Sequence, residues 1–317
     1  MNKIFNPPDT KKEKSNYHIF HNTSKMKKNP IVNLEAQRRK RNIVSKIERI
    51  PPLPATAYEV FNIVAGDPDD IKQLEQIIMH DPSLSLQLLK VANSAAYCPI
   101  TKITTIHRAI IYLGFSEVKN IVLSLSITSI FKDEKKANSN FDSQAFWEHS
   151  IGVAMISRII AGEVGLENLD MYFTCGLLHD IGRLVIDICF PDIWQQILFN
   201  AQKQKISLLE AEKALGYPHN VIGAWLIKNW RLPDIYLRTI VSHHLPLRHP
   251  HFNFDAAIIK LADCLCHDIG LGVMEPPFCN KYKVANYIGL SKDRLMLLEE
   301  HLNKICGITE AITQDWL

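Results

Sequence analysis

The stretch FTCGLLHDIGRLV, Phe173 to Val185, sets His179 beside Asp180 in an apolar frame. A buried imidazole next to a buried carboxylate is costly unless something satisfies both. Divalent metal ions would do so, and would suggest a phosphohydrolase. A closed hydrogen-bond network would also do so, and would suggest a scaffold.

Five further residues share this character. His149 stands in FWEHSIGVAMISRII, where Val153, Ile156 and Ile160 follow at helical spacing, so the imidazole faces the core. His219 opens HNVIGAWLIKNW, with Gly223 and Leu226 on its face. His243 and His244 close LPDIYLRTIVSHH. Asp263 lies in IIKLADCL, among apolar and small side chains, and needs a partner. Together these are five imidazoles and two carboxylates from five helices. That is ligand stock for one ion, or for two bridged by a carboxylate. Imidazole plus carboxylate suits Mn²⁺, Fe²⁺ or Zn²⁺. A buried polar network without metal is the alternative. Other candidates are weaker. The CLCHD stretch from Cys264 to Asp268 reads as core thiols, GYP at 216–218 as a turn, and Glu210 and Glu212 as a solvated face. No glycine-rich phosphate loop and no serine nucleophile elbow is present.

The elements that must position these residues read as helices. Asp70 with Gln73 three residues on reads as a helix start, followed by Ile71, Leu74, Ile77 and Ile78 on one face. Asp81 followed by Pro82 is a second start, burying Leu84, Leu88 and Val91. Gly114 offers a left-handed end to a third helix, and Ser116 a cap for a fourth that runs to Phe131. The polar break 131–144 precedes a helix from Ser143 to Glu163. LSKDRLMLLEEHLNKICGIT reads as one last amphipathic helix. No segment alternates with period two between turn signals, so the fold class is all-α.

Composition bounds the function. The chain has 317 residues and 47% apolar residues, enough for a sizeable core. Its net charge of +3 hides an asymmetry: residues 1–49 carry 13 Lys or Arg against 4 Asp or Glu, and the remainder is net acidic. Residues 1–46 are therefore expected to be a basic flexible tail that adds no stability. Nucleic-acid contact through it is a secondary expectation, without interleaved aromatics to support it. The seven cysteines follow no framework, which suggests a reducing cytosol and thiols packed as small apolar groups. The longest apolar run, IVLSLSITSIF at 121–131, is too short and too polar to span a bilayer. The expected location is cytoplasmic.

At this point the chain resembles the HDOD domain, the HD-related output domain of bacterial signalling proteins, over about residues 47–265. IERIPPLPATAYEVFNIVAGDP, IIMHDPSLSLQLLKVANSAAY and ITTIHRAIIYLGFSEVKNIVLSLS carry the N-terminal half of the resemblance. FWEHSIGVA, GLLHDIGRLV, GYPHNVIGAWLIKNWRLP and IVSHH carry the other. It implies an N-terminal helical subdomain (47–140) packed on an HD-like helical bundle (141–270). Residues 271–317 would be an extension with one helix.

It also implies that His149, His179, Asp180, His219, His243, His244 and Asp263 fall where the related HD-GYP phosphodiesterases place metal ligands. The groups that handle substrate in those enzymes are replaced. Arg183 stands for the lysine after the doublet, Cys266 for the lysine after the last aspartate, and Ala145 for the glutamate before the first histidine. HHLPLRHPHFN stands for the HHE…GYP signature. The resemblance therefore implies a regulatory module with a signalling protein partner and one or two divalent ions. A metal-dependent phosphodiesterase or phosphohydrolase, with Asp180 catalytic and a small nucleotide as ligand, is the alternative.

Overall fold

The computed structural model describes residues 30–65, 71–132, 141–272 and 279–313. Every regular element among them is a helix. The first six are α1 (Pro30–Ile47), α2 (Ala55–Ala65), α3 (Ile71–Met79), α4 (Pro82–Ala92), α5 (Ile106–Leu113) and α6 (Phe115–Lys132). Then come α7 (Ser143–Glu163), α8 (Leu169–Leu178), α9 (Ile181–Cys189), α10 (Pro191–Gln204), α11 (Leu208–Leu215) and α12 (His219–Asn229). The last five are α13 (Asp234–Ser242), α14 (Phe254–Asp268), α15 (Lys281–Tyr287), α16 (Lys292–His301) and α17 (Asn303–Thr313).

Local chemistry accounts for several of these ends. Asp81 accepts from the Leu84 amide at 3.0 Å, Pro82 occupies the first turn, and Leu84, Leu88 and Val91 are buried as their spacing predicts. Asp142 caps α7 by accepting from the Ala145 amide at 2.9 Å. Asp70 lies outside the described residues, but the face it was expected to start is present, with Leu74, Ile77 and Ile78 buried. Gly114 ends α5 with φ +90° and ψ 151°, a positive φ without the left-handed helical ψ. Ser116 does not cap the next helix. Gly114 precedes the helix, its carbonyl taking the first intrahelical bond from the Val118 amide at 3.1 Å, and Ser116 Oγ donates to Asp170 Oδ1 at 2.6 Å instead.

α2 to α5 pack around α6, which is buried at almost every position from Val118 to Phe131. This group leans on α8 through α6 and α2. Two hydrogen bonds reinforce the junction: Tyr58 Oη donates to the Trp230 carbonyl at 2.5 Å, and Trp230 Nε1 donates to the Pro51 carbonyl at 3.1 Å. The second group is built on the α7–α8 pair, with α14 against α7, and α12 against both α9 and α13.

Two expectations about the chain's ends are corrected. The compact helical unit begins at Ile43 and not at residue 47. Ile43 and Ile47 are each 2% exposed, so the last turns of α1 bury apolar area that a loose tail would leave in water. The C-terminal extension holds three helices and not one. The stretch read as a single helix turns at Leu302, so that α16 packs on α15 while α17 packs on α7. No single described helix is long and apolar enough to cross a membrane.

Candidate metal centre

The doublet lies at the junction of α8 and α9 and not within one helix. His179 ends α8 with helical dihedrals, and Asp180 precedes α9 at φ −106°, ψ 9°, making no capping bond. That frees the Asp180 carboxylate to turn inward. α7 presents His149, the first residue of α12 presents His219, the end of α13 presents His243 and His244, and the middle of α14 presents Asp263. Close approach of α9 and α12 is needed for Asp180 to meet His219. A methyl group on Gly182 would fall 2.0 Å from the His219 carbonyl oxygen, so only glycine fits there.

All seven sequence-predicted residues are brought together, in two adjoining groups. In one, ligand atoms of Asp180, His219, His243 and His244 lie within 4.8 Å of one another; in the other, those of His149, His179 and Asp263 do. Asp180 touches both groups. Its Oδ1 is 3.0 Å from His219 Nε2 and 3.6 Å from His243 Nε2, and its Oδ2 is 3.7 Å from His179 Nε2. Asp263 Oδ1 is 3.4 Å from His149 Nε2, and His244 Nε2 is 3.0 Å from His219 Nε2.

Three imidazoles are oriented by the backbone. His149 Nδ1 donates to the Leu271 carbonyl at 2.8 Å, His179 Nδ1 to Gly176 at 2.7 Å and His243 Nδ1 to Ile240 at 2.7 Å. Each bond points the opposite nitrogen, Nε2, into the site. His179 Nε2 and His243 Nε2 are buried there without a hydrogen-bond partner. Buried acceptors left facing one another are what a cation would satisfy. The donor set fits a divalent ion.

The electrostatics agree. Burial holds the His179 imidazole down at about 4, and lowers His243 and His244 as well. These rings are neutral, as ligands must be. Burial also opposes ionisation of Asp180, but Arg183, followed by His179 and His219, holds it well below the carboxylate range. Burial opposes ionisation of Asp263 too, but its hydrogen bond to His149 and the charges of His149 and His179 together hold it at about 2. Burial would lower His149 and His219 too. Asp263 and Cys266 raise the first instead, and Glu212 raises the second.

Sequence reasoning missed three participants. Glu212, read as a solvated side chain, is 0% exposed. It accepts from His219 Nδ1 and from the His219 amide at 3.0 Å, and holds Arg183 Nε at 3.0 Å. Arg183 also pairs with Asp180 Oδ2 through NH1, so the arginine in the place of the expected lysine is an internal counterion. His267, passed over with the neighbouring thiols, has Nε2 3.6 Å from Asp263 Oδ1. Periodicity carries a signal for His267, which lies one turn beyond Asp263. The cysteines depart from expectation in one pair: Cys264 and Cys279 are joined as a disulfide, while Cys175 and Cys266 are buried free thiols.

Residues 50–246 match the HDOD domain. The chain belongs to the HDOD family. Among its relatives is an uncharacterized protein of Treponema pallidum (strain Nichols), 23% identical over 206 residues, which span 64% of this chain and 39% of that protein. An HDOD domain protein of unknown function from Geobacter sulfurreducens has a solved structure. It is 25% identical with a TM-score of 0.73, over 90% of this chain and 99% of that one. A candidate phosphohydrolase from Shewanella amazonensis is 24% identical with a TM-score of 0.68, over 87% and 98% of the two chains, and shows the shared fold. This chain is an all-α HDOD protein with His/Asp clusters able to coordinate a divalent ion. The family match stops before α14, so Asp263 and His267 lie outside it.

Proposed function

We propose that this HDOD module binds one or two divalent cations and acts as a regulatory scaffold, passing a signal to a protein partner and not turning over a substrate. His149, His179 and Asp263 would hold one ion. Asp180, His219, His243 and His244 would hold the other. The observation that carries this reading is the engagement of Arg183. A hydrolase of phosphate esters needs a cation free to meet the developing charge. Arg183 is spent on two buried carboxylates of its own protein. Burial argues the same way, because Asp180, Asp263 and the histidines other than His244 are at most 4% exposed.

One observation favours the phosphohydrolase reading. Asp180 touches both groups, as a bridging carboxylate does in two-ion hydrolases. A bound divalent ion supplies Lewis acidity and charge neutralisation in such sites. The test is metal analysis of protein purified without a chelating column, followed by assays of the Mn²⁺- or Fe²⁺-loaded protein on cyclic dinucleotides, nucleotides and simple phosphate esters. We expect bound metal and no turnover. Asp180→Asn is expected to lose metal and about 1–3 kcal/mol of stability. Robust hydrolysis by the wild type, abolished in a folded Asp180→Asn, would establish the enzyme.

A further inference from the structure

His267 stands beside the His149–His179–Asp263 group, and the function argued above does not use it. It lies one helical turn beyond Asp263 on α14, so both side chains leave the same face. Its Nε2 is 3.6 Å from Asp263 Oδ1, the oxygen from which His149 Nε2 stands 3.4 Å. The rings of His149 and His267 are 5.1 Å apart. The turn that closes α14 holds both imidazoles. Leu271 accepts from His149 Nδ1, and the backbone at Gly272 passes so close that a methyl group there would fall 2.0 Å from His267 Nδ1. His267 is the more open of the pair, its side chain 11% exposed against 3% for His149.

We propose that His267 is a fourth protein ligand of the cation held by His149, His179 and Asp263, placed on its solvent side. The inference rests on the metal-binding reading of the site and deepens it. Three imidazoles and one carboxylate make a closed set, whereas catalytic sites keep a position open for water or substrate. His267 fills the position that a hydrolytic water would need, which gives this half of the centre a structural or sensing role. Borderline ions such as Zn²⁺ or Fe²⁺ suit the set better than Mg²⁺ or Ca²⁺, which prefer oxygen ligands.

The test uses Co²⁺ as the probe, titrated into the chelator-stripped full chain and followed by visible absorption. The wild type is expected to give the intense bands of four-coordinate Co²⁺ and no response to added azide. His267→Ala is expected to lose roughly tenfold or more in affinity for one Co²⁺, since even partners behind a ligand are worth that much. Its bands weaken, and azide now alters them. His267→Cys is the second variant: a thiolate at this position gives a sulfur-to-Co²⁺ charge-transfer band absent from the wild type. That band alone upholds the proposal if His267→Ala fails to fold. Wild-type affinity and spectrum in a folded His267→Ala, or no charge-transfer band in the Cys variant, would overturn the role of His267 while leaving the seven-residue centre standing. A wild type that takes up no Co²⁺ overturns the metal-binding reading itself, and this inference with it.

Discussion

Glu212 determines how His219 faces the cation site. It accepts a hydrogen bond from His219 Nδ1 and anchors Arg183 against Asp180, so one buried carboxylate orients a candidate ligand and a counterion together. Glu212→Gln keeps the shape and removes the charge. Cation affinity is expected to fall roughly 10–100-fold by calorimetric titration, and urea denaturation is expected to show a loss of about 2–4 kcal/mol. The metal-free centre also predicts a pH dependence. His179 has its pKa depressed by burial from the usual 6.5 to about 4. Its contribution is fully present above 6.5 and is lost as pH falls toward 4. His149 is raised well above its usual value. Its contribution is present below 6.5 and is lost as pH rises through the folded value. Thermal melts of chelator-treated protein should therefore peak near pH 6.5 and fall on both sides. A flat profile from pH 4 to 9 would contradict this picture of the imidazoles. The seven candidate residues could be picked out of the sequence because polar side chains stand there among apolar neighbours. Glu212 could not, because ISLLEAEKALGYPH reads as an amphipathic surface helix with charges on its outer side. Its burial arises only when α12 starts directly beneath it, a tertiary fact that periodicity does not hold.

At the scale of elements, Asp170 is the main polar tie between the two helical groups. It stands in the first turn of α8 and receives Lys119 Nζ at 2.8 Å and Ser116 Oγ at 2.6 Å from α6, with Arg158 Nε at 3.3 Å from α7. Burial opposes its charge, but Lys119, Ser116 and Arg158 lower its pKa below the usual 3.8. Removing it leaves Lys119, 7% exposed, without its ion-pair partner. Asp170→Ala is therefore expected to cost about 3–5 kcal/mol in urea denaturation, as loss of one half of a buried pair does. A loss under 1 kcal/mol would mean that the junction does not depend on this ion pair. A helix start with its own chemistry was readable in advance, as at Asp81 followed by Pro82. The start at Phe115 was not, because Ser116 is drawn away to Asp170 on a helix more than fifty residues downstream, a partner that local rules for capping do not see.

At the scale of the molecule, the basic N-terminal segment and the helical unit meet inside α1. Truncation tests where the fold begins. A chain starting at residue 43 keeps both buried isoleucines and should melt within a few degrees of the full chain. One starting at residue 48 removes both, and at about 1.5–3 kcal/mol each should lose roughly 3–6 kcal/mol. Equal melting temperatures for the two would show that the start of the chain is dispensable up to Glu48. The C-terminal end was less legible than the centre, since only packing on α7 and α15 decides where the LSKDRLMLLEEHLNKICGIT stretch bends.

The recognisable domain spans 50–246, but α14, which carries Asp263 and His267, begins at Phe254. Gene rearrangement that moved the recognisable stretch alone would deliver the His179–Asp180 doublet and four further imidazoles without Asp263. The candidate cation site therefore reaches beyond the stretch that the family match covers. Selection for it should act on α14 and on the turn after it, where a change at Leu271 or Gly272 would disturb the site without touching any residue of the motif.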